Sequence, residues 1–355
     1  MREYPLDEIR EALSYLDYDD RETWVRAALM LKSSLGEDGF AMWDDWSANY
    51  SRYDPKAARN VWKSAKAGKL TVGSLIHEAK AKGWQPGARK IDTAADIAER
   101  DHRRAARAAL LAQEEADRAA YHNVVADHCA AVWDLLAPTG SSKYLGTKKV
   151  GAFGIRFGRE SFLSVIHKDR IAAEIIRDRA AVKEFLDHIN AIPYEERTVS
   201  FRHIRKGCIA VPLRDVGGHI CNLQLIWPAG AKTFFYNGKK SGCFHLIGEP
   251  NPRAPLVIVE GYATGASVHM ATQYPVAVAI DAGNLMPVAK ALRGLMPDIE
   301  LIIAADNDAE TPGNPGIAKG RETALAFDVK WCFPEFHDGQ VGTDFNDMLV
   351  NAIAA

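Results

Sequence analysis

Three carboxylates in the last third of the chain, Glu260, Asp306 and Asp308, have the types and spacing that could do chemistry. Glu260 ends the apolar run Leu256-Val-Ile-Val, and Asp306 ends Leu301-Ile-Ile-Ala-Ala, with Asp308 two residues further on. A single acid after a strand is ordinarily a helix cap. Two acids at one strand end, opposite a third at another, would repel and raise one another's pKa. A divalent cation removes that penalty, and carboxylate oxygens suit Mg²⁺ or Mn²⁺. Side chains alternate on extended backbone, so residues 306 and 308 are expected to face one way and Asn307 another. Asp344 and Asp347, in Gly342-Thr-Asp-Phe-Asn-Asp347, add a further acidic pair.

These groups need a scaffold that brings distant strand ends to one edge. Residues 255–355 alternate strand and helix: strands at Leu256–Glu260, Val276–Ile280 and Glu300–Ala305, helices at Thr264–Thr272 and Pro287–Leu295. That pattern predicts a small α/β sheet whose carboxyl edge is its ligand edge. Residues 139–254 read as a mixed α+β unit with antiparallel strands in Cys208–Leu213, His219–Trp227 and Lys232–Tyr236, turned at Gly217-Gly218 and Pro228-Ala-Gly230. Its basic residues cluster as Lys143, Lys148 and Lys149, then Arg202, Arg205 and Lys206, then Lys239 and Lys240. Thr93–Leu136 is Ala-rich and free of Gly and Pro, which predicts a long helix. The cluster Arg100, Arg103, Arg104 and Arg107 on it is interleaved with acids and reads as a solvated face.

Residues 5–84 read as a compact helical module, with Leu6, Ile9, Leu13 and Leu16, then Trp24, Ala27, Ala28 and Leu31, at helical spacing. Asp20 is placed to cap the second helix. Trp43, Trp46, Trp62 and Trp84 are expected to build a core; the alternative is that one or two stack on unpaired bases near Lys63, Lys66 and Lys69. The chain is therefore expected to be multidomain, α plus α/β. A helical module (1–86) and a linker helix (87–138) precede the basic subdomain (139–254) and the α/β sheet (255–355).

Composition narrows the function classes. With 355 residues, 47% hydrophobic and 25% charged, the chain has the make-up of a globular protein. No apolar stretch is long enough to span a membrane, and the N-terminus lacks a signal-peptide core. Five cysteines without a CxxC pair suit a reducing cytoplasm and offer no zinc ribbon. The net charge of −2 hides an asymmetry. Residues 129–254 hold 19 Lys/Arg against 11 Asp/Glu, and residues 255–355 hold 5 against 13. A basic block beside an acidic one suits an enzyme that handles a polyanion with a metal, or two oppositely charged domains that dock.

The acidic motifs resemble the Toprim domain, shared by bacterial-type primases, topoisomerases and certain nucleases. The marks are Val257-Ile-Val-Glu-Gly-Tyr262, Ala305-Asp-Asn-Asp308 and Thr343-Asp-Phe-Asn-Asp347. From about Ser142 to Leu349 the chain resembles plasmid- and phage-encoded primases with a core like that of bacterial replicative primases. The matching segments are Glu260-Gly-Tyr-Ala-Thr-Gly-Ala-Ser267, Asp281-Ala-Gly-Asn-Leu285, Asn314-Pro-Gly316, Val211-Pro-Leu-Arg-Asp215, Leu223-Gln-Leu, and Lys232-Thr-Phe through Gly242-Cys-Phe-His. Three places depart from the replicative pattern. Thr264 stands where those primases carry an acid, and Leu225 and Ile226 where they carry an arginine. Asp344 and Asp347 are separated by two residues instead of one. Residues 5–84 resemble a small helical accessory domain of phage and plasmid replication proteins, through Thr23-Trp24, Trp43-Asp-Asp-Trp-Ser47, Tyr53 and Trp62.

The resemblance implies a primase that makes short RNA primers on single-stranded DNA from ribonucleoside triphosphates, in plasmid or phage replication. It implies catalytic Glu260, Asp306 and Asp308, and a Mg²⁺ (or Mn²⁺) set of those three with Asp344 and Asp347. Lys232 and Lys240 would contact nucleotide phosphate or template, with Lys143, Arg205, Lys206 and Lys239 along a template groove. Lys319 is read as a surface helix lysine. No zinc and no membrane contact are expected. No Walker A motif is present, so a helicase partner would be another chain or a further extension. The expected compartment is the cytoplasm of a bacterial or phage-infected cell. The rival readings are a Toprim nuclease, and a non-catalytic initiation factor that binds single strands.

Overall fold

Apolar residues recurring every three or four positions wind the N-terminal stretch into five helices: α1 (Leu6–Leu13), α2 (Arg21–Leu35), α3 (Gly39–Ser47), α4 (Pro55–Ser64) and α5 (Val72–Ala81). The structure, a computed structural model, describes residues 4–50, 53–65, 68–86, 94–336 and 340–354. Asp20 caps α2 as expected, accepting from Thr23 N at 2.8 Å. Trp43, Trp46, Trp62 and Trp84 are buried in one core with Leu13, Leu31 and Leu75. Trp43 stacks 4.7 Å from Trp24 and 5.6 Å from Trp62. Their ring N–H groups are used internally: Trp24 donates to Ser47 Oγ, Trp43 to Trp24 O, and Trp62 to Glu37 Oε2. These tryptophans are core, and Lys66 of the alternative reading lies outside the described residues.

The chain divides into two units, Met1–Gln113 and Glu114–Ala355. Helix α6 (Ala94–Leu135) carries the chain from one to the other. The side chains of Arg100, Arg103, Arg104 and Arg107 lie outside the described residues, so their solvated face stays an expectation. Within the second unit the end of α6 is more than a spacer. Tyr121, Val125, Cys129, Val132 and Leu136 form one stripe and share a core with Phe162, Ile204, Leu223 and Phe235.

After α7 (Lys143–Lys148), the basic stretch builds two antiparallel sheets. They comprise β1 (Arg156–Phe157), β2 (Phe162–His167), β3 (Ala173–Ile176), α8 (Arg179–Asn190), β4 (Val199–Ile204), β5 (Ile209–Arg214), β6 (Ile220–Ile226) and β7 (Lys232–Phe234). One sheet has the order β1-β5-β6-β7, the other β3-β2-β4. Then follow β8 (His245–Ile247), β9 (Leu256–Val259), α9 (Tyr262–Thr272), β10 (Val276–Val278), α10 (Leu285–Leu295), β11 (Leu301–Ala304), α11 (Pro315–Phe327), β12 (Lys330–Cys332) and α12 (Phe345–Ala354).

The third sheet runs β12-β11-β9-β10-β8, parallel except for β8. Its strands are apolar on both faces because both are covered. Val257, Val259, Val276 and Val278 pack with Tyr262, Ala263 and Ala266 of α9, while Leu256, Ile258, Leu301 and Ile303 pack with Val288, Leu292 and Ala324. α9 lies so close that a Cβ on Gly265 would meet Val278 Cγ2 at 2.8 Å. The register pairs Val259 with Ala304 and with Val278. That register brings the ends of β9 and β11 to the same edge, as the sequence predicts.

Candidate active site

Glu260 follows β9 directly and is buried, only 8% exposed. Burial pushes its carboxyl up to about 7, helped by Asp308, Asp281 and Asp344, while the Asp306 N–H that donates to Oε1 at 3.4 Å pulls the other way. Asp306, two residues past β11, is pushed up to about 8 by burial and then by Glu260, Asp344 and Asp308; Lys232 opposes. Its Oδ1 is buried without a hydrogen-bond partner. A buried acceptor of this kind costs roughly 1–3 kcal/mol unless something occupies it.

A tight loop holds Asp308. Asn314, in the left-handed region at φ 40°, accepts from Asp308 N at 2.9 Å through Oδ1 and donates to Asn307 Oδ1 at 2.9 Å. Gly316 N donates to Asp308 Oδ2 at 3.2 Å. The turn is packed so closely that a Cβ on Gly316 would lie 2.3 Å from Asp306 O, which accounts for glycine in the Asn-Pro-Gly motif. Asn307 instead donates to Pro334 O at 3.1 Å, apart from its acidic neighbours.

The other expected ligands divide. Asp344 Oδ2 accepts from Thr264 Oγ1 at 3.1 Å and Oδ1 from Asp347 N at 2.8 Å, and its charge reaches Glu260, Asp306 and Lys232. Asp347 is engaged elsewhere: Oδ1 pairs with Lys148 Nζ at 3.1 Å and Oδ2 accepts from Thr343 N at 3.0 Å. Lys148 was visible only as one of a basic cluster; its partner lies 199 residues away along the chain. Asn346, fully buried, donates to Lys148 O at 2.7 Å and Ser267 Oγ at 2.9 Å. It ties α7, α9 and α12 together, and no sequence pattern pointed to it.

The basic candidates also separate. Lys232, exposed at the start of β7, feels Asp344 and Asp306 as attractive charges, while neighbouring protein partly desolvates its ammonium and lowers its pKa. It is the cation of the carboxylate edge. Lys240 pairs with Asp281 at 3.5 Å and lies 4.8 Å over the Phe234 ring. Lys239 acts on His122, Cys221 and Cys243 and is absent from the charges acting on Glu260 and Asp306. Lys143, Arg205 and Lys206 are exposed. Lys319 pairs with Glu322 at 2.7 Å on the surface of α11.

Among the described residues no three His, Cys, Asp or Glu side chains are already grouped to hold a metal ion. The donor set still fits Mg²⁺, which is commonly held by one or two carboxylates with waters and substrate phosphates completing its shell. The unpartnered Asp306 Oδ1 and the mutual repulsion of Glu260 and Asp306 mark where positive charge is missing.

Acids gathered at the carboxyl edge of a parallel sheet define the class: residues 255–355 match the Toprim domain family, and residues 9–79 match Primase C terminal 2. Over part of its length the chain is similar to plasmid DNA primases. In particular, 137 of its residues, 37% of the chain, are 40% identical to a DNA primase TraC of Escherichia coli. A second Escherichia coli TraC is 42% identical over 133 residues, 36% of the chain. The matched stretches span only 13% and 9% of those two proteins. A DNA primase domain from Pseudomonas aeruginosa is structurally similar with a TM-score of 0.39 and 16% identity, covering 63% of this chain and 73% of that one.

Proposed function

We propose that this chain is a DNA primase that makes short RNA primers on single-stranded DNA by metal-dependent nucleotidyl transfer. The observation that carries the reading is the cluster of Glu260, Asp306, Asp308 and Asp344 at one sheet edge, with a buried unpartnered Asp306 oxygen and Lys232 facing the acids. Glu260 and Asp306 would hold Mg²⁺ or Mn²⁺, with Asp308 and Asp344 beside them. When bound, the ion supplies charge neutralisation at the triphosphate and a lowered pKa for the attacking 3′-hydroxyl. Lys232 would face the triphosphate as the fixed protein cation. Thr264 would orient Asp344 through its hydroxyl, in the place where replicative primases carry an acid. Asp347 would organise the loop through Lys148 and Thr343 instead of ligating directly. Lys240, Lys239, Lys143, Arg205 and Lys206 stay candidates for template contact.

The substrates under this reading are ribonucleoside triphosphates and a single-stranded DNA template. A replicative helicase, on another chain or a further segment, would be the partner, and the cytoplasm of a bacterial or phage-infected cell the compartment. Among the described residues no helix is long and apolar enough to cross a membrane. The test is synthesis of short labelled RNA on bare single-stranded DNA with ribonucleotides and Mg²⁺. Product from the full chain supports the reading, and cleaved template without RNA product would replace it with a nuclease.

A further inference from the structure

Away from the carboxylate edge, one surface of the second unit displays aromatic rings around an unpaired cation. Lys168, at the end of β2, lies 5.7 Å from the Tyr194 ring and 6.0 Å from the Tyr236 ring. Tyr194 is 74% exposed and Tyr236 39% exposed, so both residues near the lysine reach solvent. Arg197 lies 5.8 Å over the Tyr194 ring. Lys168 makes no ion pair with any carboxylate among the described residues.

The rings are held in place. Tyr121 packs edge-on against Tyr236, 6.2 Å between centroids and 76° between planes, and its own hydroxyl is fixed on His167 O. Tyr194 follows Pro193 in a short 3₁₀ turn, and Arg197 Nε donates back to Ile192 O at 3.0 Å. Lys168 is held through its backbone N–H on Thr198 O at 2.7 Å. Ordering rings and cation in advance lowers the entropy that binding would otherwise lose.

We infer that Tyr194, Tyr236 and Lys168 form a stacking platform for unpaired bases of single-stranded DNA. Two exposed tyrosine faces suit the π-faces of bases, which stack whatever their sequence. Acids Asp169, Glu195 and Glu196 adjoin the platform in sequence. Long-range attraction is therefore weak there, and ring stacking is the main source of affinity. The inference deepens the primase reading and rests on it for the identity of the strand as template.

The test uses the full chain. A fluorescein-labelled oligothymidylate is bound at two salt concentrations, and an oligonucleotide carrying 5-iododeoxyuridine is photocross-linked, with the attached residue mapped by mass spectrometry. Cross-links at Tyr194 or Tyr236 are expected. Tyr194→Ala and Tyr236→Ala should each weaken binding about tenfold, while Tyr194→Phe, which keeps the ring, should bind like the parent. Lys168→Gln should lower the salt slope by about one phosphate contact. Equal binding by parent and both alanine variants, or cross-links only at other residues, would overturn the platform, as would a Phe variant no better than Ala. The primase reading is separable. Primer synthesis by the parent together with indifferent tyrosines removes only the platform, and tyrosine-dependent binding by a chain that makes no primer removes only the primase.

Discussion

Replacing Asp306 with Asn should stabilise the metal-free protein, and only above mildly acid pH. In the fold Asp306 is held at about 8 against an ordinary value of 3.8, and Glu260 at about 7 against 4.5. Well below pH 3.8 both carboxyls are protonated whether the chain is folded or not, so neither affects stability. Between about pH 4 and pH 8 the folded state keeps protons that the unfolded state has lost, and stability falls as pH rises. At about 1.4 kcal/mol per pKa unit, the rise of about four units would cost the fold on the order of 5 kcal/mol at pH 8 before any screening. Asp306 is only partly shielded from water and shares its repulsion with Glu260, Asp308 and Asp344, against Lys232. The amide also needs new partners. A net gain of ~1–3 kcal/mol remains, or roughly 3–10 °C in melting temperature for a unit of this size. The assay is thermal unfolding of parent and Asp306→Asn in EDTA at about pH 8 and pH 5. The gain should shrink to roughly a third at the lower pH, and Mg²⁺ should narrow it by stabilising the parent alone. A variant that melts below the parent at both pH values would refute the claim that repulsion is stored at this edge.

Three further predictions follow from close contacts. Gly316→Ala would drive a Cβ to 2.3 Å from Asp306 O, so primer synthesis should fall by at least about tenfold with a loss of ~1–3 kcal/mol in a denaturant titration. Thr264→Val removes the hydroxyl that donates to Asp344 Oδ2 at 3.1 Å; the expected change is up to about tenfold in the Mg²⁺ concentration for half-maximal rate, with melting within ~2 °C of the parent. Residues 114–355 should fold and extend a preformed dinucleotide on their own. Residues 139–355 should fail to give soluble protein, because four buried side chains of α6 and Leu136 just past it, at ~2 kcal/mol each, approach the whole stability of a domain. A soluble, active shorter fragment would show α6 to be dispensable.

Where chemistry depends on residues near in sequence, the sequence was readable. The runs ending in Glu260 and Asp306 are apolar throughout because both sheet faces are covered, and that continuity made them visible as buried strands. The acids were conspicuous because they interrupt those runs. Asp347 was less legible: it has the type and neighbourhood of a metal ligand, and only the fold reveals Lys148 at 3.1 Å. The stripe of Tyr121, Val125, Cys129, Val132 and Leu136 has core spacing, but alanines along the same helix blurred it into a linker. Strands β1 and β3, of two and four residues, give period-two patterning little length in which to show. Ile280, at φ 80° just before Asp281, adopts a backbone unusual for a β-branched residue, and no propensity would suggest it.

The central claim is that the carboxylates at this edge serve nucleotidyl transfer. Its most direct test compares the parent with Glu260→Gln and Asp308→Asn in extending a ribodinucleotide on single-stranded DNA across a Mg²⁺ titration, with strand affinity measured on the same samples. The parent should extend. Both variants should lose at least about a hundredfold in rate, ~3 kcal/mol of barrier, while binding the strand as tightly as the parent. Extension by either variant at the parent's rate would contradict the account.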